Sequence, residues 1–318
     1  MKHILVKGAG VGGLTAAYAL WQKGARLTVA APPLAPIGSA SWYAGGMLAP
    51  HCERESADPC IETEGLQSML WWRETLPLLY KQAGTLVVAK SRDSTELQRF
   101  STRTRGYKWV DKAGIQKLEP NLEERFIHGL FYADEAHIDP RQALLTLKSH
   151  LKENGVTFTN SVIDESAFDL IIDATGIANA VSDLDLRGVR GEMLLLKNPD
   201  ISLNRPIRLL HPRIPLYVVP RDDHIFMVGA TMIESDSLHA ISARSMMELL
   251  NAAYALHPSF AEAEVIEANA ALRPAYSDNI PQLKRAGNVF YINGFYRHGY
   301  LLAPLIAQKL VQQIMEEK

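Results

Sequence analysis

Six residues near the start constrain this chain more than any others. Gly8-Ala9-Gly10-Val11-Gly12-Gly13 follows a short apolar run, Ile4-Leu5-Val6, and opens a stretch rich in Ala and Leu that stops at Gly24. Gly8, Gly10 and Gly13 satisfy G-x-G-x-x-G. The first glycine makes a tight turn, the second lets a pyrophosphate approach the backbone, and the third lets helix and strand pack closely. A helix beginning there aims free N–H groups at phosphate charge. The pattern predicts a strand over 2–7, a helix over 12–23 and a strand over 27–30, the β-α-β opening of a doubly wound sheet. A purely structural glycine turn is the competing reading. It does not account for the turn lying directly between strand and helix.

One part of the dinucleotide pattern is missing. The second strand ends Val29-Ala30-Ala31-Pro32, with no carboxylate to hold an adenosine ribose. Either backbone and nearby hydroxyls such as Ser39 take over, or cofactor binding is weaker.

Composition bounds the partners. The 318 residues suggest roughly two domains. With 33 basic against 35 acidic side chains the formal charge is −2, which argues against nucleic acid or an anionic membrane as main partner. Cys52 and Cys60 are the only cysteines, too few for a disulfide framework. His51, Cys52 and Glu53 are adjacent, but the two cysteines lack CxxC spacing and no metal is expected. No apolar run reaches the roughly 18 residues of a membrane span, and the first is too short for a secretory signal. A cytoplasmic location is expected.

Further along, 62–80 reads as a helix that buries Trp71, Trp72 and Leu76. Residues 84–133 read as short strands mixed with helices. Asp139-Pro140 opens a helix to 152, Asp as N-cap and Pro in the first turn. A strand over 168–174 flows into Thr175-Gly176. Strands follow over 187–233, with 216–220 and 225–230 as a hairpin around Asp222-Asp223. A helix over 242–257, strands over 270–274 and 289–293, and a helix over 299–316 complete the chain. The α/β units are thus separated by antiparallel-looking β segments. The expected fold is α/β: a Rossmann-like dinucleotide-binding domain from 1–83, 134–186 and 270–318, interleaved with an antiparallel-sheet α+β substrate domain from 84–133 and 187–269.

The glycine turn does not separate NAD from FAD; later segments bear on that choice. Asp173-Ala174-Thr175-Gly176 resembles the ATG turn of two-dinucleotide-binding-domain flavoproteins, although an ordinary strand-end turn has the same look. Gly294 and Gly299 precede the last helix, whose N-terminus suits the negative charge of a reduced flavin. An NAD dehydrogenase needs no such second helix.

Together with SWYAGGMLAPHCERES at 41–56, GVRGEMLLL at 188–196, YVVPR at 217–221, VGATM at 228–232, ALRP at 271–274 and FYRHGYLLAP at 295–304, these segments are informative. Over nearly its whole length the chain resembles the flavin-dependent glycine oxidases of thiamine biosynthesis, within the D-amino-acid oxidase superfamily. The resemblance implies non-covalent FAD and a homotetramer. It implies oxidation of a substrate Cα–N bond by hydride transfer to flavin N5, with oxygen reduced to hydrogen peroxide. The imine then gives glyoxylate and ammonia, or is handed to thiazole synthase.

By the same resemblance FAD contacts fall on Gly8, Gly10, Val11, Gly12, Gly13, Ser41, Gly45, Gly46, Met47, Val162, Thr175, Gly176, Arg297, His298, Gly299, Tyr300 and Leu301. Substrate contacts fall on Arg273, Tyr217, Met232 and Arg297. Arg273 would clamp the carboxylate with a planar, permanently charged fork; a strand-end salt bridge is the alternative. Tyr217 would touch the same carboxylate, or be a core aromatic. Met232 would line the pocket, or pack in the core. Arg297 would assist at the mouth, or lie solvated on the surface. His298 departs from the residue commonest at its position and is read as a backbone-positioning residue, not a base. No residue must act as base if the amine arrives neutral. With no Cys after Cys60, attachment of flavin to a C-terminal cysteine is excluded. Oxidation of sarcosine or a small D-amino acid, and flavin binding without turnover, are the alternative functions.

Overall fold

The computed structural model describes residues 2–122, 125–211 and 216–316. Its first strand, His3–Lys7, buries Ile4, Leu5 and Val6, as a strand covered on both faces must. It pairs in parallel with Arg26–Ala30 on one side and Leu170–Asp173 on the other. The sheet extends to Thr157–Thr159 beyond the former and to Val289–Asn293 and Gln282–Ala286 beyond the latter. Only the last pair is antiparallel. The chain runs outward on one side of the first strand and then returns on its other side. Gly8 and Ala174 therefore meet at a topological switch point, the place where open α/β sheets bind ligands.

Local chemistry sets the helix ends. Pro140–Glu153 starts as expected, with the Asp139 carboxylate accepting from the Arg141 and Gln142 N–H groups. Pro59–Thr75 starts before the expected 62 because Asp58 and Pro59 form the same device, and it stops early because Leu76 precedes Pro77. Trp71, Trp72 and Leu76 are buried as expected. The final helix, Gly299–Glu316, contains Pro304, which cannot donate to the carbonyl four residues back. That carbonyl, of Tyr300, instead accepts from the Trp72 indole N–H at 2.7 Å.

The second sheet has nine strands. Its main path runs Ile233–Glu234, Arg187–Lys197, Ile225–Gly229, Leu216–Pro220, Ile207–Leu210, Thr85–Ala89, His128–Tyr132 and Lys108–Asp111, and Glu264–Ala275 pairs along Arg187–Lys197. The expected hairpin is present; Asp223 and His224, both at positive φ, make its turn. Glu264–Ala275 is longer than expected, and the anticipated change of domain at 270 falls inside it. No glycine or proline interrupts the chain there until Pro274, so the strand continues.

Each sheet has its own apolar core. Between them lies a cavity of about 690 Å³, reaching from the glycine turn to the face of the nine-stranded sheet. Among the described residues no helix is long and apolar enough to cross a membrane.

Candidate active site

At the sheet end of the cavity the glycines are sterically required. Gly8 has φ +101°, and a Cβ there would lie 2.4 Å from the Ala174 carbonyl oxygen. A Cβ on Gly13 would lie 2.0 Å from the Gly8 oxygen, so this glycine serves helix–strand packing behind the cavity wall. Gly8, Gly10, Val11 and Gly12 line the cavity. Ser41 closes over the turn, its Oγ accepting from the Val11 N–H at 3.0 Å. That leaves the hydroxyl proton free to donate to an anion. The end of the second strand, Ala30 and Pro32, also lines the cavity without a carboxylate, and Ser39 lies beside it.

The segment 41–47 forms the middle of the wall. Gly46 has φ +68°, and a Cβ there would strike the Ile138 oxygen at 2.0 Å. Arg221 donates to the Gly45 carbonyl at 2.6 Å, and the buried Tyr300 hydroxyl donates to those of Ser41 and Pro140. Met47, Thr175, Gly176, Gly299 and Leu301 line the same space. The Asp173 carboxylate accepts from the Thr175 N–H and hydroxyl, fixing that turn, and Asn293 donates to the Gly176 carbonyl. Val162 is the exception: fully exposed after Thr157–Thr159, its side chain is not part of the cavity wall. The chain there carries the Val162 side chain to solvent.

The far end carries the charge. The Arg273 guanidinium lies over Gly191, where a Cβ would come within 2.2 Å of Nη2, and donates from Nη1 to the Thr231 carbonyl at 3.1 Å. Among the described residues no ion pair joins it to a carboxylate. Tyr217 stands beside it; burial pushes its phenol up, and the nearby Arg273 charge opposes that shift. Met232 is half-exposed at the mouth, with its sulfur 3.4 Å from Arg297 Nη1, so it is no core residue.

Arg297 has a partner that sequence reasoning did not give it. Its Nε lies 2.6 Å from Glu53 Oε2, which also takes His298 Nε2 at 2.9 Å, while Arg208 stands 3.6 Å from Oε1. Burial opposes ionisation of Glu53, but Arg297, His298 and Arg208 outweigh it and hold the carboxyl far below the usual range. The sequence alone offers Glu53 only as a possible metal ligand and gives Arg208 no role. The separation of 244 positions between Glu53 and Arg297 leaves no local signal of their pairing. Among the described residues no group of His, Cys, Asp and Glu side chains is arranged to hold a metal.

The family model for FAD dependent oxidoreductases matches residues 3–313. The chain belongs to that family. A putative thiamine biosynthesis oxidoreductase ThiO of Rhizobium etli is 51% identical over 318 residues, which cover 99% of this chain and 97% of the relative. A bifunctional protein ThiO/ThiG of Trichormus variabilis is 27% identical over 358 residues, covering 100% of this chain and 53% of the relative, so the chain spans about half of its length. The crystal structure of glycine oxidase from Geobacillus kaustophilus has the same fold, with a TM-score of 0.82 at 22% identity over 100% of this chain and 96% of that one. This oxidoreductase family uses FAD, and the cavity suits it in shape: a glycine turn bare of side chains at one end, cations at the other.

Proposed function

We propose that this oxidoreductase deaminates glycine, or a similarly small amino acid, with oxygen as acceptor. Glycine, O2 and water would give glyoxylate, ammonia and hydrogen peroxide. The observation that carries the reading is Arg273, a cation at the end of the cavity with a carbonyl but no carboxylate for a partner. A planar fork in that state suits a substrate carboxylate, and Tyr217 would add its hydroxyl to the same group.

Gly8, Gly10, Val11, Gly12 and Ser41 would hold the pyrophosphate of FAD, with no covalent bond to the protein. Gly45, Gly46, Met47, Thr175, Gly176 and the 297–301 segment would flank the rest. Bound FAD supplies the two-electron acceptor. The chain's own residues supply alignment and charge. Arg273 and Tyr217 fix the carboxylate and so the direction of Cα. The N-terminus of Gly299–Glu316, which lines the cavity, would set a positive dipole end against the negative charge of a reduced flavin. Arg297, engaged by Glu53, acts on the field of the site more than as a direct carboxylate ligand. The six-stranded sheet would be the cofactor half of this division of labour, and the nine-stranded sheet would cover the ring.

The name of the Rhizobium relative supports a place in thiamine biosynthesis, and the Trichormus relative carries a ThiO part and a ThiG part in one chain. Handover of the imine to a thiazole synthase and a homotetramer in the cytoplasm belong to the same reading. The deciding experiment loads the purified protein with FAD and adds glycine under air. Stoichiometric peroxide and glyoxylate are expected. Turnover of sarcosine but not glycine would move the substrate to N-methyl amines, and no turnover of either would overturn the reading.

A further inference from the structure

Along a strand, alternate side chains face opposite ways. In Arg187–Lys197 this separates Gly191 from Arg190 and Glu192. Gly191 faces the cavity, where the Arg273 guanidinium rests on it; a Cβ would lie 2.2–2.6 Å from Nη2, Cζ and Nη1. Arg190 and Glu192 are buried, at 5% and 1% exposure, and pair with each other: Arg190 Nε and Nη2 lie 3.0 and 2.8 Å from Glu192 Oε1.

The pair grips what borders the cavity. Thr231 is held by Glu192 through three contacts. Its hydroxyl accepts the Glu192 N–H at 2.9 Å and lies 3.3 Å from Oε2, and its own N–H donates to the Glu192 carbonyl. The Thr231 carbonyl is the one that receives Arg273. Arg190 donates to the carbonyls of Ser237 and Ala240, and Glu192 Oε1 accepts from the Ser242 N–H. The segment 231–242 is thereby fastened at both ends and in between. It carries two residues of the cavity wall, Met232 and Leu238, both exposed.

A buried ion pair is a poor source of stability, since desolvating both charges offsets most of their attraction. Its value here is geometric. We propose that Arg190, Gly191 and Glu192 are positioning residues for the substrate clamp. Gly191 provides the floor on which the Arg273 fork lies flat. Glu192, through its backbone and the carboxylate that Arg190 holds, fixes the Thr231 carbonyl that orients one arm of the fork, leaving its remaining N–H groups to meet a carboxylate. The inference rests on Arg273 binding the substrate carboxylate.

The test uses the FAD-loaded enzyme, with acetate as the carboxylate probe. Acetate affinity is read from the perturbed flavin spectrum, and KM and kcat for glycine are measured alongside. Gly191→Ala and Glu192→Gln are each made in the native chain and in Arg273→Ala. In the native chain each is expected to weaken acetate and raise KM by about tenfold or more, with a smaller change in kcat. In Arg273→Ala neither should weaken acetate further, because both act through the missing guanidinium. Equal losses in both backgrounds would show a merely structural role and overturn the proposal, as would no loss in either. Arg273→Ala alone leaving acetate affinity unchanged would sink the clamp itself, a separate failure. Should Gly191→Ala not fold, Glu192→Gln carries the test, since it keeps the size of the side chain.

Discussion

Arg273 and Arg297 are the same residue type facing the same cavity, and their neighbours give them different work. Arg297 is bound by the Glu53 carboxylate, while Arg273 has a carbonyl and a tyrosine beside it. Arg273→Ala should therefore raise KM for glycine at least about tenfold, a loss of roughly 1.4 kcal/mol or more in kcat/KM. Steady-state kinetics check this, and an unchanged KM would remove the assignment. A second residue-scale prediction concerns Glu135, buried beneath the Cys52 backbone N–H. Burial pushes its carboxyl up to about 7 from an ordinary 4.5. The folded chain keeps this proton through that window while the unfolded chain loses it. Stability is thus lost from this group as pH rises from about 4.5 to 7, and the loss is complete above that. Glu135→Gln removes the titration. Its stability relative to the native chain should improve by about 2–3 kcal/mol between pH 5 and pH 8, as read by urea unfolding.

At the scale of elements, the last helix shows how two distant segments complete each other. Pro304 removes one donor from Gly299–Glu316, and the Trp72 indole of Pro59–Thr75 replaces it at the Tyr300 carbonyl. Trp72→Phe should strand that buried carbonyl and cost about 1–3 kcal/mol beyond the change in packing. Adding Pro304→Ala, which restores a backbone N–H, should recover part of the loss; equal destabilisation in both backgrounds would contradict the account. Element positions were legible where a local device marks them. Asp139-Pro140, Ser242 and Gly299 each open a helix where the sequence places it. The start of Pro59–Thr75 is marked too, by Asp58-Pro59, three residues before the expected 62. The full length of Glu264–Ala275 was not legible, because its pairing with Arg187–Lys197 defines it and its own residues show no clean alternation.

For the whole molecule, function depends on two sheets meeting around one cavity. No cysteine lines that cavity; Cys52 is buried elsewhere, in a small core with Phe100 and Tyr132. FAD held there should leave completely when the protein is precipitated with acid. All the flavin absorbance should appear in the supernatant, and a yellow pellet would show a covalent bond. The clustering of Arg208, Arg273 and Arg297 against Glu53, the one carboxylate among the described residues of the cavity wall, gives the cavity a positive end inside a chain of net charge −2. That contrast places the attraction for a small anion inside the molecule and not over its surface.

The sequence by itself determined what short-range sterics and hydrogen bonding control. Gly8 and Gly13 sit where any side chain would collide, Asp139 caps its helix, and Ile4 to Val6 are apolar because both faces of their strand are covered. The family resemblance carried by the short motifs around Arg273 and Tyr217 paired those two, and both line the same cavity. Only the tertiary structure decided which arginine is free of a carboxylate, that the Arg273 fork lies over Gly191, and that the Val162 side chain faces solvent. The reason is physical. A turn or a cap is closed by neighbours a few residues away, whereas charge pairing and burial are settled by whichever distant segments the two sheets bring into contact.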